Sequence, residues 1–241
     1  MSGHSKWSTI KRQKGAADIK RGAAFTKISN AITIAVKQGG GIGDPNQNPR
    51  LRLAIESART ANMPKDNIER AIARATAKGA GELSEVTYEG FTPGGASVLI
   101  EAVTDNTNRT TSEVKSLFNK SGASFGQPGS VAYQFNQTGE IIVNKNSYTL
   151  DDIFLTAAEA GALDVEDNGE EVSVFTNISD LSTVKEALSA AGFEVSSAEI
   201  SRKPINLMEV GEEDKEKIIN FLSTLESMDD IQKVYSNISL A

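Results

Sequence analysis

The sequence predicts an α+β multidomain fold, in which an N-terminal three-helix domain precedes two ferredoxin-like β-α-β-β-α-β domains, one inserted in the other. Apolar residues repeat with helical spacing from about Ala16 to Gly81, and the alternation that is typical of strands appears after them. The charge changes sign at the same point, since residues 1–80 hold 15 Lys and Arg against 5 Asp and Glu, whereas residues 81–241 hold 10 against 27. We therefore expect a basic helical domain at residues 1–81 and acidic sheet domains after it.

Three helices are expected in this basic domain. A first apolar stripe ends at the three glycines 39–41, a second helix follows Pro49, and Pro64 opens a third. Residues 1–14 show no apolar period and are expected to form a mobile arm. The predicted inward faces consist of Phe25, Ile28, Ile32, Val36, Leu51, Ala54, Ile55, Ala58, Ile68, Ala71, Ile72 and Ala75.

A discontinuous α+β domain is predicted from residues 82–136 and 204–241. The first part reads as β-β-α-β, with its helix starting at a capping box formed by Thr110 and Glu113 and ending at Gly122. The second part reads as β-α-β and supplies the missing half of a β-α-β-β-α-β unit. The expected strands of this domain are Glu85–Tyr88, Ser97–Val103, Ser130–Phe135, Ile205–Val210 and Ile231–Tyr235.

The intervening residues 137–203 contain a complete β-α-β-β-α-β run of their own. Asn168-Gly169 is a strong signal for the hairpin between its second and third strands. Three consecutive domains are the rival arrangement, but they would leave two incomplete sheets exposed. We therefore expect residues 137–203 to be an inserted ferredoxin-like domain.

The composition excludes several kinds of chemistry. The chain has no cysteine and a single histidine, His4, so disulfides, thiol catalysis and thiolate metal sites are excluded. Residues Gly122–Gly126 match the G-x-S-x-G pattern of hydrolases, but here a helix precedes the serine and a strand follows it, which is the reverse of the hydrolase order. We expect no catalytic residue, no cofactor, no metal ion and no small-molecule substrate. No apolar run approaches the 18 or so residues that span a membrane, and a cytoplasmic protein is expected.

The basic residues near the N-terminus are the predicted nucleic-acid-binding site. A one-sided cluster of positive charge attracts a polyanion and releases its condensed counterions. Trp7 lies in a segment too polar to bury it, so it either stacks on a base or packs back onto the helical domain as an anchor. The predicted site consists of Lys6, Trp7, Lys11, Arg12, Lys14, Lys20, Arg21 and Lys27.

A second polar cluster lies between a predicted strand and the helix that follows it. Asn106, Asn108 and Arg109 fall at the start of that helix, where backbone amides and an arginine can hold a phosphate or contact a partner. The alternative is that these side chains only cap the helix.

Four segments resemble the YebC/PmpR family. They are residues 3–7 (GHSKW), 62–68 (NMPKDNI), 88–90 (YEG) and 104–110 (TDNTNRT). Gly122-Ala123 departs from the family pattern, in which a glycine pair is common at this place. The resemblance implies a three-domain cytoplasmic bacterial protein of a family labelled as DNA-binding transcriptional regulators, with relatives that act in translation at the ribosome.

These observations lead to one expected function and two alternatives. We expect a non-enzymatic nucleic-acid-binding regulator of gene expression, which acts as a DNA-binding transcriptional regulator through the basic arm and first helix. The first alternative is a ribosome-associated translation factor that contacts ribosomal RNA and relieves stalling. The second is a protein–protein adaptor whose acidic domains bind a protein partner.

Overall fold

The computed structural model describes residues 21–77 and 83–239, which belong to two compact units. The small unit is Phe135–Lys203, and the large unit holds the remaining described residues. The three domain boundaries expected from the sequence stay a prediction. Within the described ranges, no helix is long and apolar enough to cross a membrane.

The fold class is confirmed, because a helical region is followed by two sheets with helices. The helices of the described ranges are α1 (Arg21–Gln38), α2 (Pro49–Thr60), α3 (Lys65–Thr76), α4 (Thr107–Ser121), α5 (Leu150–Glu159), α6 (Leu181–Ala190) and α7 (Glu212–Ser227). The strands are β1 (Ser84–Phe91), β2 (Ser97–Thr104), β3 (Ser124–Phe125), β4 (Phe135–Asn144), β5 (Asp164–Asp167), β6 (Glu171–Thr176), β7 (Glu194–Pro204), β8 (Met208–Glu209), β9 (Ile231–Ser236) and β10 (Ile238–Ser239).

The helical region is built around α1, which packs against both α2 and α3. Asn48 joins the end of α1 to the start of α2: its amide donates to the carbonyls of Ala35 (2.9 Å) and Ile42 (3.1 Å), and its Oδ1 caps α2 at the Leu51 amide. Gly39 is required beside it, because a Cβ there would lie 2.1 Å from Asn48 Nδ2. The core consists of Ile32, Ala35, Val36, Leu51, Ile55, Ala58, Met63, Ile68 and Ala71, in agreement with the predicted inward faces.

The sheet of the large unit has the order β3-β1-β2-β9, with antiparallel neighbours. Helices α4 and α7 contribute Val114, Phe118, Ile218 and Leu222 to the core beneath it. Read from β2 onward, this is a ferredoxin-like unit whose third strand position is occupied by β1, although β1 precedes β2 in the chain.

The strand expected at Ile205–Val210 was therefore wrong in extent and placement. Only Met208–Glu209 is a strand, and it pairs with β10 in a separate two-stranded sheet. The reason is local: β1 and β2 form a hairpin that pairs all eight residues of β1 through a short turn at Gly94 and Gly95, both with positive φ. Closing the short loop of this hairpin costs little conformational entropy, so β1 pairs with β2 in preference to a strand that is distant in the chain.

The strand expected at Ser130–Phe135 was also wrong. Residues Ala132–Gln134 form a 3₁₀ turn, and the strand that begins at Phe135 belongs to the small unit. The buried carboxylate of Glu89 explains this, because it accepts hydrogen bonds from the amides of Gly129, Val131 and Ala132. Those amides are then not available to a strand ladder.

The small unit has the sheet order β5-β6-β4-β7, with α5 and α6 in the β-α-β-β-α-β sequence that was predicted. This order is ferredoxin-like. Its most deeply buried apolar residues, each at most 1% exposed, are Ile141, Val143, Ile153, Ala157, Val172, Val174, Leu181, Val184 and Leu188.

Candidate nucleic-acid interface

Most of the predicted nucleic-acid-binding residues lie outside the described residues. This applies to Lys6, Trp7, Lys11, Arg12, Lys14 and Lys20, and the side chain of Arg21, the first residue of α1, is not described either. Their assignment as a binding site stays a prediction.

Lys27 is the predicted site residue whose side chain is described, and it is half-buried on α1. Its Nζ donates to the main-chain carbonyl of Glu226 in the last turn of α7. The negative end of a helix dipole favours a cation in this position. Lys27 therefore connects the helical region to the rest of the large unit, and its charge is directed at a carbonyl oxygen of the protein.

The structure adds five arginines that the sequence did not single out as site residues. They are exposed on α2 and α3, and within the described residues none of them forms an ion pair with a carboxylate. Their positions in the sequence could have indicated exposure, because they alternate with the apolar positions of two amphipathic helices. We call Arg50, Arg52, Arg59, Arg70 and Arg74 the exposed arginines.

Three of these arginines are held by neutral acceptors. Arg52 donates to the carbonyls of Pro45 (3.2 Å) and Asn46 (3.3 Å), Arg70 donates to the carbonyl of Asp66 (3.2 Å), and Arg50 donates to the side chain of Gln38. Neutral acceptors orient a guanidinium group without neutralising it. Each of these groups therefore keeps its full charge and presents its remaining donors to solvent.

The side chains of Arg59 and Arg74 form no hydrogen bond or ion pair with any residue in the described ranges. Both side chains are exposed, one near the end of α2 and the other in the last turn of α3. Residues 21–77 hold nine Lys and Arg against four Asp and Glu. The helical region thus combines net positive charge with guanidinium groups that are available to phosphate oxygens.

The second predicted cluster is a capped and ion-paired structure. Asn106, and not Thr110, is the N-cap of α4, and its Oδ1 accepts from the Arg109 amide at 3.1 Å. The Arg109 guanidinium lies 2.9 Å from Asp230 Oδ2 and 3.0 Å from Asp105 Oδ1. The capping alternative therefore accounts for Asn106, while Asn108 is exposed on the first turn.

Asp230 is the centre of this cluster. Its Oδ2 accepts hydrogen bonds from the hydroxyls of Thr104 (3.1 Å) and Thr110 (2.5 Å) as well as from Arg109. Burial raises the pKa of Asp230, but the three hydrogen bonds outweigh it and the pKa is lowered overall. With two carboxylates to one guanidinium, the cluster has no free positive charge to offer a phosphate.

The described residues do not bring together a metal site, since no group of three or more His, Cys, Asp or Glu side chains has suitable geometry. Ser124 of the G-x-S-x-G pattern lies in the short strand β3, after α4 and the left-handed residue Gly122. The nucleophile elbow of hydrolases requires a strand before the serine and a helix after it, and this order is absent here.

Comparison with known proteins gives family-level matches over most of the chain. Residues 5–78 match the TACO1/YebC protein N-terminal domain, and residues 83–238 match the TACO1/YebC second and third domain. A protein of Rubrobacter xylanophilus is 45% identical over 243 residues, covering 100% of this chain and 96% of the relative. One from Desulfatibacillum aliphaticivorans is 48% identical over 242 residues, covering 98% and 96%.

Both relatives are named probable transcriptional regulatory proteins. The crystal structure of a conserved hypothetical protein from Aquifex aeolicus superimposes with a TM-score of 0.86 at 40% identity, covering 92% of this chain and 91% of that one. The matches include both the helical region and the two sheets. The chain belongs to the TACO1/YebC family.

Proposed function

We propose that this protein is a non-enzymatic regulator of gene expression that binds DNA through the N-terminal arm and the helical region. The exposed arginines carry this proposal. Five guanidinium groups are exposed on two helices without carboxylate partners among the described residues, and each has the planar fork of donors and the charge that suit a phosphate group. The names of the two bacterial relatives support a role in transcription.

The distribution of acid supports the same proposal. The small unit holds four Lys and Arg against thirteen Asp and Glu between residues 135 and 203. A polyanion is attracted to the helical region and repelled by the small unit, so encounter is favoured at the helical region.

Phosphate contacts of this kind position a protein on nucleic acid but carry little sequence information. Duplex DNA and folded ribosomal RNA both present phosphate groups to which the exposed arginines could bind. The choice between transcription and translation therefore depends on which polyanion is bound in the cell.

The first experiment measures affinity for a 20-base-pair duplex DNA as a function of salt. Each lost phosphate contact lowers the slope of log affinity against log salt by about 1, so Arg59→Ala with Arg74→Ala should lower its magnitude by about 2. Lys120→Ala, an exposed basic residue on α4, is the matched control and should leave the slope unchanged. An unchanged slope in the double arginine variant would refute the proposed interface.

The second experiment identifies the target by crosslinking in cells and sequencing of the bound nucleic acid. Discrete promoter sites would support the DNA-binding role. A library dominated by ribosomal RNA would reject it in favour of a ribosomal role, and the double arginine variant should lose either signal if the interface is correct.

A further inference from the structure

Exposed apolar side chains are concentrated in the small unit. Of the nine large hydrophobic residues that are exposed in the described ranges, five lie between residues 135 and 203. Four of them form what we call the apolar patch: Phe154, Leu155, Leu163 and Ile178, which are 49%, 60%, 59% and 40% exposed. Single exposed hydrophobic residues are ordinary, whereas exposed hydrophobic residues that lie close together are typical of a surface that binds a partner.

The topology of the unit brings Leu163 and Ile178 of the apolar patch to one end of its sheet, next to the end of α5. Helix α5 ends at Glu159 and β5 begins at Asp164, so Leu163 lies just after the turn that joins them. The Leu163 amide donates to the carbonyl of Phe175 at 2.7 Å, which places Leu163 beside the end of β6. Ile178 follows two residues after β6, at the same end.

Phe154 and Leu155 occupy the outer side of α5. Its inner side is formed by Ile153 and Ala157, which are fully buried against the sheet. Phe154 and Leu155 keep about half or more of their surface exposed, so the core of the unit leaves much of both side chains uncovered.

Acidic side chains lie on the same side of α5 as part of the apolar patch. Asp151 and Glu159 are exposed on the same side of α5 as Leu155, and within the described residues neither forms an ion pair. With thirteen acids against four basic residues in residues 135–203, the unit repels nucleic acid and attracts cations. An apolar surface bordered by unpaired carboxylates is complementary to a helix that has leucine-like residues on one side and lysine or arginine on the other.

We propose that the apolar patch is a docking site for a cationic amphipathic helix of a partner protein. The apolar side chains of that helix cover Leu155 and Leu163, and its cations face Asp151 and Glu159. This site is separate from the exposed arginines, so the protein can hold a polyanion through its large unit and a basic protein through its small unit.

The test uses the full chain and a synthetic 14-residue probe of leucine and lysine, LKKLLKLLKKLLKL, labelled with fluorescein. Binding is followed by fluorescence anisotropy at physiological salt. Leu155→Ser with Leu163→Ser keeps all charges and should weaken binding about tenfold, since each leucine is more than half exposed before the probe covers it. Asp151→Asn with Glu159→Gln should weaken binding about threefold and reduce its salt dependence.

Matched controls separate docking from general attraction to an acidic protein. Tyr133→Ser with Ile205→Ser removes two side chains that are 71% and 51% exposed in the large unit, and should leave probe binding unchanged. The same probe with glutamate in place of lysine should not bind. All substituted side chains are exposed, so thermal unfolding should be the same in each variant.

Three results would overturn the proposal. Equal probe affinity in the Leu155→Ser, Leu163→Ser variant would show that attraction to acidic groups alone holds the probe. Binding of the glutamate probe would contradict the charge complementarity. A loss of duplex DNA affinity in the leucine variant would assign the apolar patch to nucleic acid instead of a protein.

Discussion

The buried carboxylate of Glu89 is expected to contribute strongly to the free energy of unfolding of the large unit. It is 6% exposed, and both of its oxygens are hydrogen-bonded to a loop. Oε1 accepts from the Gly129 amide at 2.7 Å, while Oε2 accepts from Val131 at 2.7 Å and Ala132 at 2.8 Å. The Glu89 side chain therefore determines the conformation of the segment that leads from β3 into the small unit.

Glu89→Gln is the informative substitution because it keeps size and removes charge. The amide oxygen can replace one carboxylate oxygen, but the amide nitrogen then faces a backbone N–H that it cannot accept from. Hydrogen bonds to a charged group contribute roughly 1.5–3 kcal/mol each and neutral ones roughly 1 kcal/mol. Losing one hydrogen bond and weakening the other two costs about 4 kcal/mol of stability. The variant no longer has to bury a charged group, and this offsets part of the cost. The expected loss is about 3 kcal/mol.

The pH dependence gives a second, independent signature. Burial raises the pKa of Glu89, but the three backbone hydrogen bonds outweigh it, so the pKa is lowered from its ordinary 4.5. A lowered pKa in the folded chain means that the stabilisation is complete above pH 4.5 and is lost as the pH falls through the lower folded value. The difference between the wild type and Glu89→Gln should therefore shrink in acid.

The assay is hydrogen exchange of the β2 amides, which lie at the centre of the sheet, as a function of urea and pH. This readout follows the large unit alone, which matters in a chain with two compact units. Glu113→Gln, on the exposed side of α4, is the control and should change stability by less than about 0.5 kcal/mol. A loss below about 1 kcal/mol for Glu89→Gln, or a loss independent of pH, would refute the assigned role.

Two further substitutions test buried polar groups. Asn48→Asp keeps the cap of α2 but places a carboxylate oxygen against the carbonyls of Ala35 and Ile42. Urea unfolding should therefore show a loss of stability of about 3 kcal/mol. The control is Asn46→Asp at an exposed position, which should leave stability nearly unchanged. Burial raises the pKa of Glu166 to about 7 despite Lys203 at 2.7 Å, so the folded chain holds a proton that the unfolded chain loses near 4.5. The free energy of unfolding should therefore decrease as the pH rises from 4.5 to 7. Glu166→Gln should remove this decrease and should be more stable than the wild type by roughly 3 kcal/mol above pH 7. A decrease that persists in the variant would contradict this.

Local patterns predicted the helices and the small unit well. The inward faces of α1, α2 and α3 follow from helical spacing, and each of these helices is bounded by a glycine or proline that sequence reasoning can recognise. The two wrong strands depended on partners distant in the chain. Nothing near Ser130 indicates that a carboxylate 40 residues earlier, on Glu89, takes the amides of that segment.

The candidate site was predicted from a charge pattern, and its assignment as a binding site stays a prediction. Clustered charge identified the basic domain, but Lys27 proved to be directed at the carbonyl of Glu226, far away in the sequence. Arg109 is likewise compensated by Asp230, which no local motif reveals. Whether a basic residue is available to a ligand depends on tertiary partners, and those are absent from a single-sequence pattern.

The altered connectivity of the large unit explains how one unit tolerates another inside it. In a ferredoxin-like unit the second strand normally continues through a hairpin into the third. Here β1 already occupies the third position, so the chain that leaves β3 has no hairpin partner to reach. The chain enters the small unit at Phe135 and returns to the large unit at Pro204. The Ile205 amide then donates to the Gln134 carbonyl at 2.8 Å, which joins the two ends of the inserted segment. Since no strand pairing of the large unit is interrupted, the small unit adds an acidic surface without removing a hydrogen bond from the sheet of the large unit.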